Sequence, residues 1–173
     1  MIGPKGASQI KTDQTADPIN KPYLFLVVFL MLVIPAAAIC ADFFSHTYAD
    51  LWSLIGKWFV FWAVGVRLFA AGLRQTIKPA FTAEIIFHIE DKNSYAIVRE
   101  LGFANLSFGA VAIISLFDPH WRIPAACAGG LFLGIAGFYH LVKKPSGPNE
   151  LIAMISDLFA FAVLALFAAH RFF

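Results

Sequence analysis

Charge is scarce in this chain. Asp, Glu, Lys and Arg make up 14% of its 173 residues, with a formal net charge of +2, whereas an ordinary soluble domain carries about 25% charged residues. So little charge excludes a disordered charged tail and a coiled coil, and the near-neutral balance excludes a nucleic-acid binder. Cysteine is scarce too. Two residues, Cys40 and Cys127, cannot build a disulfide-rich secreted scaffold or a zinc-type cluster. The chain also lacks a phosphate-cradling glycine loop and a nucleophile elbow.

Apolar side chains fill the sequence instead. They make up 60% of it, including 19 Phe. A soluble globule of this length would leave roughly a third of its unfolded-chain surface in water, so apolar groups would cover much of the outside. A second apolar solvent is implied. Tyr23 to Ala41 is a run of 19 residues without a charge except at its flanks, enough at about 1.5 Å per residue to cross a hydrocarbon core of about 30 Å. Four more runs follow, Leu51 to Leu73, Leu101 to Phe117, Ile123 to Val142 and Leu151 to Ala169. They are continuous rather than alternating, which predicts helices and not a barrel. The fold class expected is all-α: a polytopic five-span bundle, a four-helix core plus an N-terminal helix, with residues 23–173 as one transmembrane domain behind a cytoplasmic tail of residues 1–22.

Lysine and arginine set the orientation by the positive-inside rule. Lys5, Lys11, Lys21, Arg74, Lys78, Lys92, Arg99, Lys143 and Lys144 share one side, against Arg122, Arg171 and the nearby Lys57 on the other. This predicts a multi-pass protein of the cytoplasmic membrane with its N-terminus in the cytoplasm. A cleaved signal peptide is the rival for the first span, since Ala36-Ala37-Ala38 offers small residues; the run is longer than the usual ~7–15 residues, and a polar lead precedes it.

Between the second and third spans, Lys78-Pro79 stops a helix. Phe81, Ile85 and Ile89 then recur every four residues with Glu84, His88 and Asp91 on another face, predicting a short amphipathic helix over Phe81 to Asp91 at the inner interface. Asp91-Lys92-Asn93-Ser94 reads as a turn. In the fourth span, Gly129, Gly130, Gly134 and Gly137 favour close helix packing, and Pro35 predicts a kink in the first.

Ionisable groups inside a span cost at least about 2.5–3.5 kcal/mol near the centre, so each asks for a partner or a wet cavity. Arg67 lies seven residues from Arg74, Asp157 seven from Glu150 and Asn105 six from Arg99, each about 9–10 Å in from the cytoplasmic end by helical rise. His140 and Glu100 are shallower on the same side. Arg67, Glu100, Asn105, His140 and Asp157 are therefore the candidate ligand or ion pocket, with Arg67 and Asp157 as an ion pair. Read singly, Arg67 snorkels, His140 is interfacial, and Glu100 and Asn105 bridge or cap helices. A metal is the alternative: Glu84, His88, Glu100, His140 and Asp157 would supply a carboxylate-rich shell suited to iron, manganese or zinc, although no Glu-x-x-His pair occurs. Haem would want two facing histidines at depth. No cofactor is assigned.

Arg99-Glu100-Leu101-Gly102-Phe103-Ala104-Asn105-Leu106, followed by Gly109, resembles a segment of a group of small bacterial and archaeal integral membrane proteins of unknown function marked by Glu-x-Gly-Phe-Ala-Asn-Leu. Similar features there are a preceding helix with a histidine, here His88, a Gly-x-x-His ending a glycine-rich helix, here Gly137 to His140, and an aspartate in the last helix, here Asp157. The layout is more loosely similar to DoxX-like four-helix membrane proteins. The resemblance runs from Phe81 to Leu166 and departs at the short loop Lys143 to Asn149. It implies an architecture and no reaction.

Three functional classes fit this reading: binding or passing a small ion, proton or polar solute; a metal-containing membrane oxidoreductase or accessory redox subunit; and a structural subunit for a membrane partner or a homo-oligomer. Whether the protein is an enzyme stays open.

Overall fold

A computed structural model describes residues 18–45 and 50–172. Most of the predicted tail and the tip of the first outer loop, with His46, lie outside the described residues. The chain forms α1 (Lys21–Ser45), α2 (Leu51–Ile77), a short α3 (residues 79–86), α4 (Ser94–Ile114), α5 (Pro119–Lys143, opening with a 3-10 turn) and α6 (Pro148–Phe172). All except α3 are long and apolar enough to cross a membrane. No strand occurs among the described residues. The protein is a helical membrane protein, and its lipid-type surface carries exposed Phe25, Ile97, Phe103, Ile135 and Val142.

Three stretches of α-helical appearance carry the wider π spacing: Phe29–Val33, Val60–Val66 and Phe81–Ile86. The first has a cause in the sequence. Pro35 has no N–H to donate, and the chain just before it widens so that Ile34 N–H reaches Phe29 O, five residues back. The second ends at Arg67, whose N–H reaches Trp62 O. Here, immediately before an embedded guanidinium, the wider turn changes the direction in which the next side chains leave the helix.

Two differences from the sequence reading matter for the site. The third span begins at Ser94 and ends at Ile114, not at Leu101 and Phe117, because Tyr95, Ile97 and Val98 continue the helix through the charged Arg99-Glu100 pair. The short helix stops at Ile86 rather than Asp91. Phe87 N–H caps back to Thr82 O and Ile89 N–H to Ala83 O, while His88 takes a positive φ of 55°. Glu84 and His88 therefore do not share a helical face.

Close backbone approach fixes the bundle. The most extensive pairings are α5 with α6 and α2 with α4. At the α2–α4 crossing a Cβ on Gly72 would stand 2.7 Å from Gly102 O and Leu106 N, and one on Gly109 would stand 2.6 Å from Phe69 N. Only glycine lets those two backbones meet. Gly134 and Gly137 do the same for α5 against Phe161 and Leu158 of α6. The small-residue helix thus packs within the chain. Val60, Ala63, Val64, Ala160 and Leu164, each at most 1% exposed, fill the half of the bundle away from α3. There Lys57 and Trp58 Nε1 both reach Asp42 Oδ2, at 2.6 and 3.0 Å, joining α1 to α2. Asp50 caps α2, accepting from Ser53 Oγ and N–H, and those bonds hold its carboxyl below the usual carboxylate range. Cys40 and Cys127 are free thiols.

Candidate functional site

The half of the bundle nearer α3 is organised differently. A cavity of about 220 Å³ lies between α1, α2, α4, α5 and α6, under α3. Arg67, Asn105, His140 and Asp157 all line it. Each is buried, at 9%, 4%, 7% and 7% exposure. The remaining wall is largely apolar, with Val27, Leu68, Phe132 and Leu133 prominent.

Arg67 of α2 and Asp157 of α6 form an ion pair, Nη2 to Oδ1 at 2.5 Å. The same Nη2 donates to Ser156 Oγ at 3.0 Å, and Ser156 Oγ donates in turn to Ala153 O at 2.8 Å. Arg67 Nη1 is buried with no hydrogen-bond partner among the described residues. Asn105 Nδ2 donates to Gln75 Oε1 at 2.7 Å across the glycine crossing of α2 and α4. Its Oδ1 is likewise buried with no partner among the described residues. Arg67 and Asn105, which line the same space, thus each keep one unsatisfied polar atom, a cationic donor and an amide acceptor.

His140, near the end of α5, forms the wall between the cavity and the α5–α6 turn. Its Nδ1 donates to Glu150 Oε1 at 2.8 Å. Glu150, 0% exposed, also accepts from Lys143 Nζ at 3.1 Å, Ser146 N–H at 2.7 Å and Ser146 Oγ at 2.9 Å. Pro148 opens α6 and Glu150 follows in its first turn, where the carboxylate complements the helix dipole and closes a capping-box-like turn. The turn passes through Lys144 at φ 65°.

The third element, α3, forms the lid of this space. Phe81, Thr82, Ile86 and Phe87 line the cavity. Arg74 lies 3.4 Å from the centre of the Phe81 ring, Tyr23 packs tilted against the same ring with centroids 6.2 Å apart, and Phe87 stacks on His140. The chain ahead of α1 is tied to the same end, Asn20 N–H donating to Asn149 Oδ1 at 2.9 Å.

With this geometry in place, the sequence of almost the whole chain can be related to other proteins. Residues 22–171 match the family model DUF6790, a family of unknown function. The chain belongs to this family. No curated protein and no solved structure matches it. Membership in DUF6790 carries no activity with it.

Two of the predicted groups do not come together as expected. Glu100 is exposed and lines no part of the cavity, because it lies on a different face of α4 from Asn105. Glu84 is exposed and accepts from Tyr95 Oη, while His88 sits beside Gly147, whose added Cβ would be 3.0 Å from its Nε2. The five residues considered for a metal therefore do not converge. Among the described residues no group of three or more His, Cys, Asp or Glu side chains could hold a metal ion. Conversely, Tyr23, Arg74 and Gln75 line the cavity and Glu150 binds His140, roles that their positions in the sequence do not mark. Glu150 could have been found from Ser146, two residues ahead of Pro148 and four ahead of Glu150, a helix-start pattern.

Proposed function

We propose that this protein is a cytoplasmic-membrane protein with the α3 side and its N-terminus in the cytoplasm, and that it binds a small solute in the cavity beneath α3. The orientation is supported by basic residues: Lys21, Arg74, Lys78, Lys92, Arg99, Lys143 and Lys144 lie at the α3 end, against Lys57, Arg122 and Arg171 toward the other. Binding is favoured over passage because Val60, Ala63, Val64, Ala160 and Leu164 fill the bundle beyond Leu68 and Leu133, and none of them lines the cavity.

One observation carries the reading: Arg67 and Asn105, which both line the cavity, each keep a buried side-chain atom, Nη1 and Oδ1, opposite in hydrogen-bonding sense and without a partner among the described residues. A buried polar atom left unsatisfied costs about 1–3 kcal/mol, more when charged. Polar groups serving only to lock helices would satisfy one another inside the protein. Arg67–Asp157 and Asn105–Gln75 do lock helices, yet each leaves one atom over, which suits a molecule that presents an acceptor to the first and a donor to the second.

Thermal unfolding of the purified full chain in a neutral maltoside detergent, with millimolar benzoate, benzamide or benzylamine, tests this. At least one probe is expected to raise the midpoint, and Ala136→Phe, which fills the cavity wall, is expected to abolish the rise. The proposal fails if no probe shifts the wild type, or if the filled variant responds equally.

A further inference from the structure

The charges around the cavity indicate which class of solute it takes; this step rests on the binding reading above. Two guanidiniums, Arg67 and Arg74, line the space with a single carboxylate, Asp157. The other buried carboxylate at this end, Glu150, is already matched by Lys143 and by donors from His140 and Ser146. Asp157 is committed to Arg67. Arg74 has no carboxylate within ion-pair distance among the described residues and makes its contact with the face of Phe81 instead. The local account is therefore one positive charge in excess, at the wall between the cavity and the α3 lid.

We infer that the site takes a compact organic monoanion, a carboxylate borne on an apolar body. The acceptor oxygens answer Arg67 Nη1, whose partner atom Nη2 is taken by Asp157 and Ser156, and the net charge answers Arg74. The apolar body answers the walls formed by Val27, Leu68, Leu101, Phe132, Leu133 and Ala136. A bare inorganic anion fits less well, since stripping its water requires several donors and these walls supply few. At about 220 Å³ the space is below the roughly 300–1,000 Å³ typical of sites for drug-sized molecules, so the body is small. A guanidinium over an aromatic ring at the entrance is also a weakly hydrated cation, well suited to meeting a carboxylate as it leaves water.

The test compares three probes of one shape and different charge on the intact protein in neutral detergent. Benzoate is expected to bind at least tenfold tighter than benzamide and tighter still than benzylamine. Arg74 is exposed, so Arg74→Gln keeps the fold, and it should reduce the benzoate-to-benzamide preference at least threefold. Equal affinities, or a preference for benzamide or benzylamine, overturn the anionic class while leaving the pocket standing. An unchanged preference in Arg74→Gln overturns the role of Arg74 in setting it. Absence of binding by all three overturns both this inference and the reading beneath it.

Discussion

Removing both halves of the Arg67–Asp157 pair should be less damaging than the two single removals added together. At about 4 Å between charge centres and an effective permittivity of about 20, such a pair attracts by about 4 kcal/mol. Burial of each ion costs several kcal/mol, so the intact pair contributes little net stability. The asymmetry appears on substitution. In Asp157→Ala the guanidinium stays in a site where Arg67 is 9% exposed, and of its two cross-helix partners only Ser156 Oγ remains. In Arg67→Ala the carboxylate is stranded, since Arg67 Nη2 is its one hydrogen-bond donor among the described residues. Each single variant should lose about 3–5 kcal/mol, as expected when one member of a buried pair is deleted. The double variant removes the charge problem and should lose less than the sum by about 2–3 kcal/mol, at the upper end of couplings between contacting residues. Reversible unfolding in mixed micelles of maltoside and dodecyl sulfate, read by circular dichroism, measures all four corners of the cycle. Losses that add to within about 0.5 kcal/mol would refute the pairing as an energetic unit.

Gly72→Ala should destabilise by about 1–3 kcal/mol through overpacking, because its new Cβ meets backbone at 2.7 Å, whereas Gly130→Ala, with its nearest neighbour at 3.3 Å on a side chain, should cost much less; the same unfolding assay ranks the two. Glu150→Ala leaves His140, Lys143 and Ser146 donors without their shared acceptor and should cost about 1–3 kcal/mol. The exposed Glu100→Ala should stay within about 0.5 kcal/mol of the parent, so equal effects of these two substitutions would contradict the division between inward and outward carboxylates.

That division explains how much of this molecule was legible in its sequence. Five long apolar runs match the five spanning helices, four of them to within about four residues at each end and the third displaced by seven at its start, because helix length and hydrocarbon thickness constrain each other directly. Depth was equally legible: counting residues from the helix ends put Arg67, Asn105 and Asp157 at one level, and all three line one cavity with His140. Depth alone does not give direction around the helix. At about 100° per residue, Glu100 and Asn105 lie about 140° apart on α4, so an inward Asn105 turns Glu100 outward. Gly102, Asn105 and Gly109 fall instead within about 60° of one another, and all three are buried against α2. The shared Gly-x-x-Asn spacing is thus a crossing plus the side chain that the crossing positions. Glycine permits the approach of Gly72 to Gly102, and the approach brings Asn105 to Gln75. Gln75 has no charge to single it out, and Glu150 sits at a helix start, where a carboxylate ordinarily faces water. What buries Glu150 is the return of residues 143–146 over it, a tertiary event that no periodicity encodes. The same turn sets His140 between that carboxylate and the cavity, so the α5–α6 connection fixes one wall of the pocket as firmly as the Arg67–Asp157 pair fixes the opposite one.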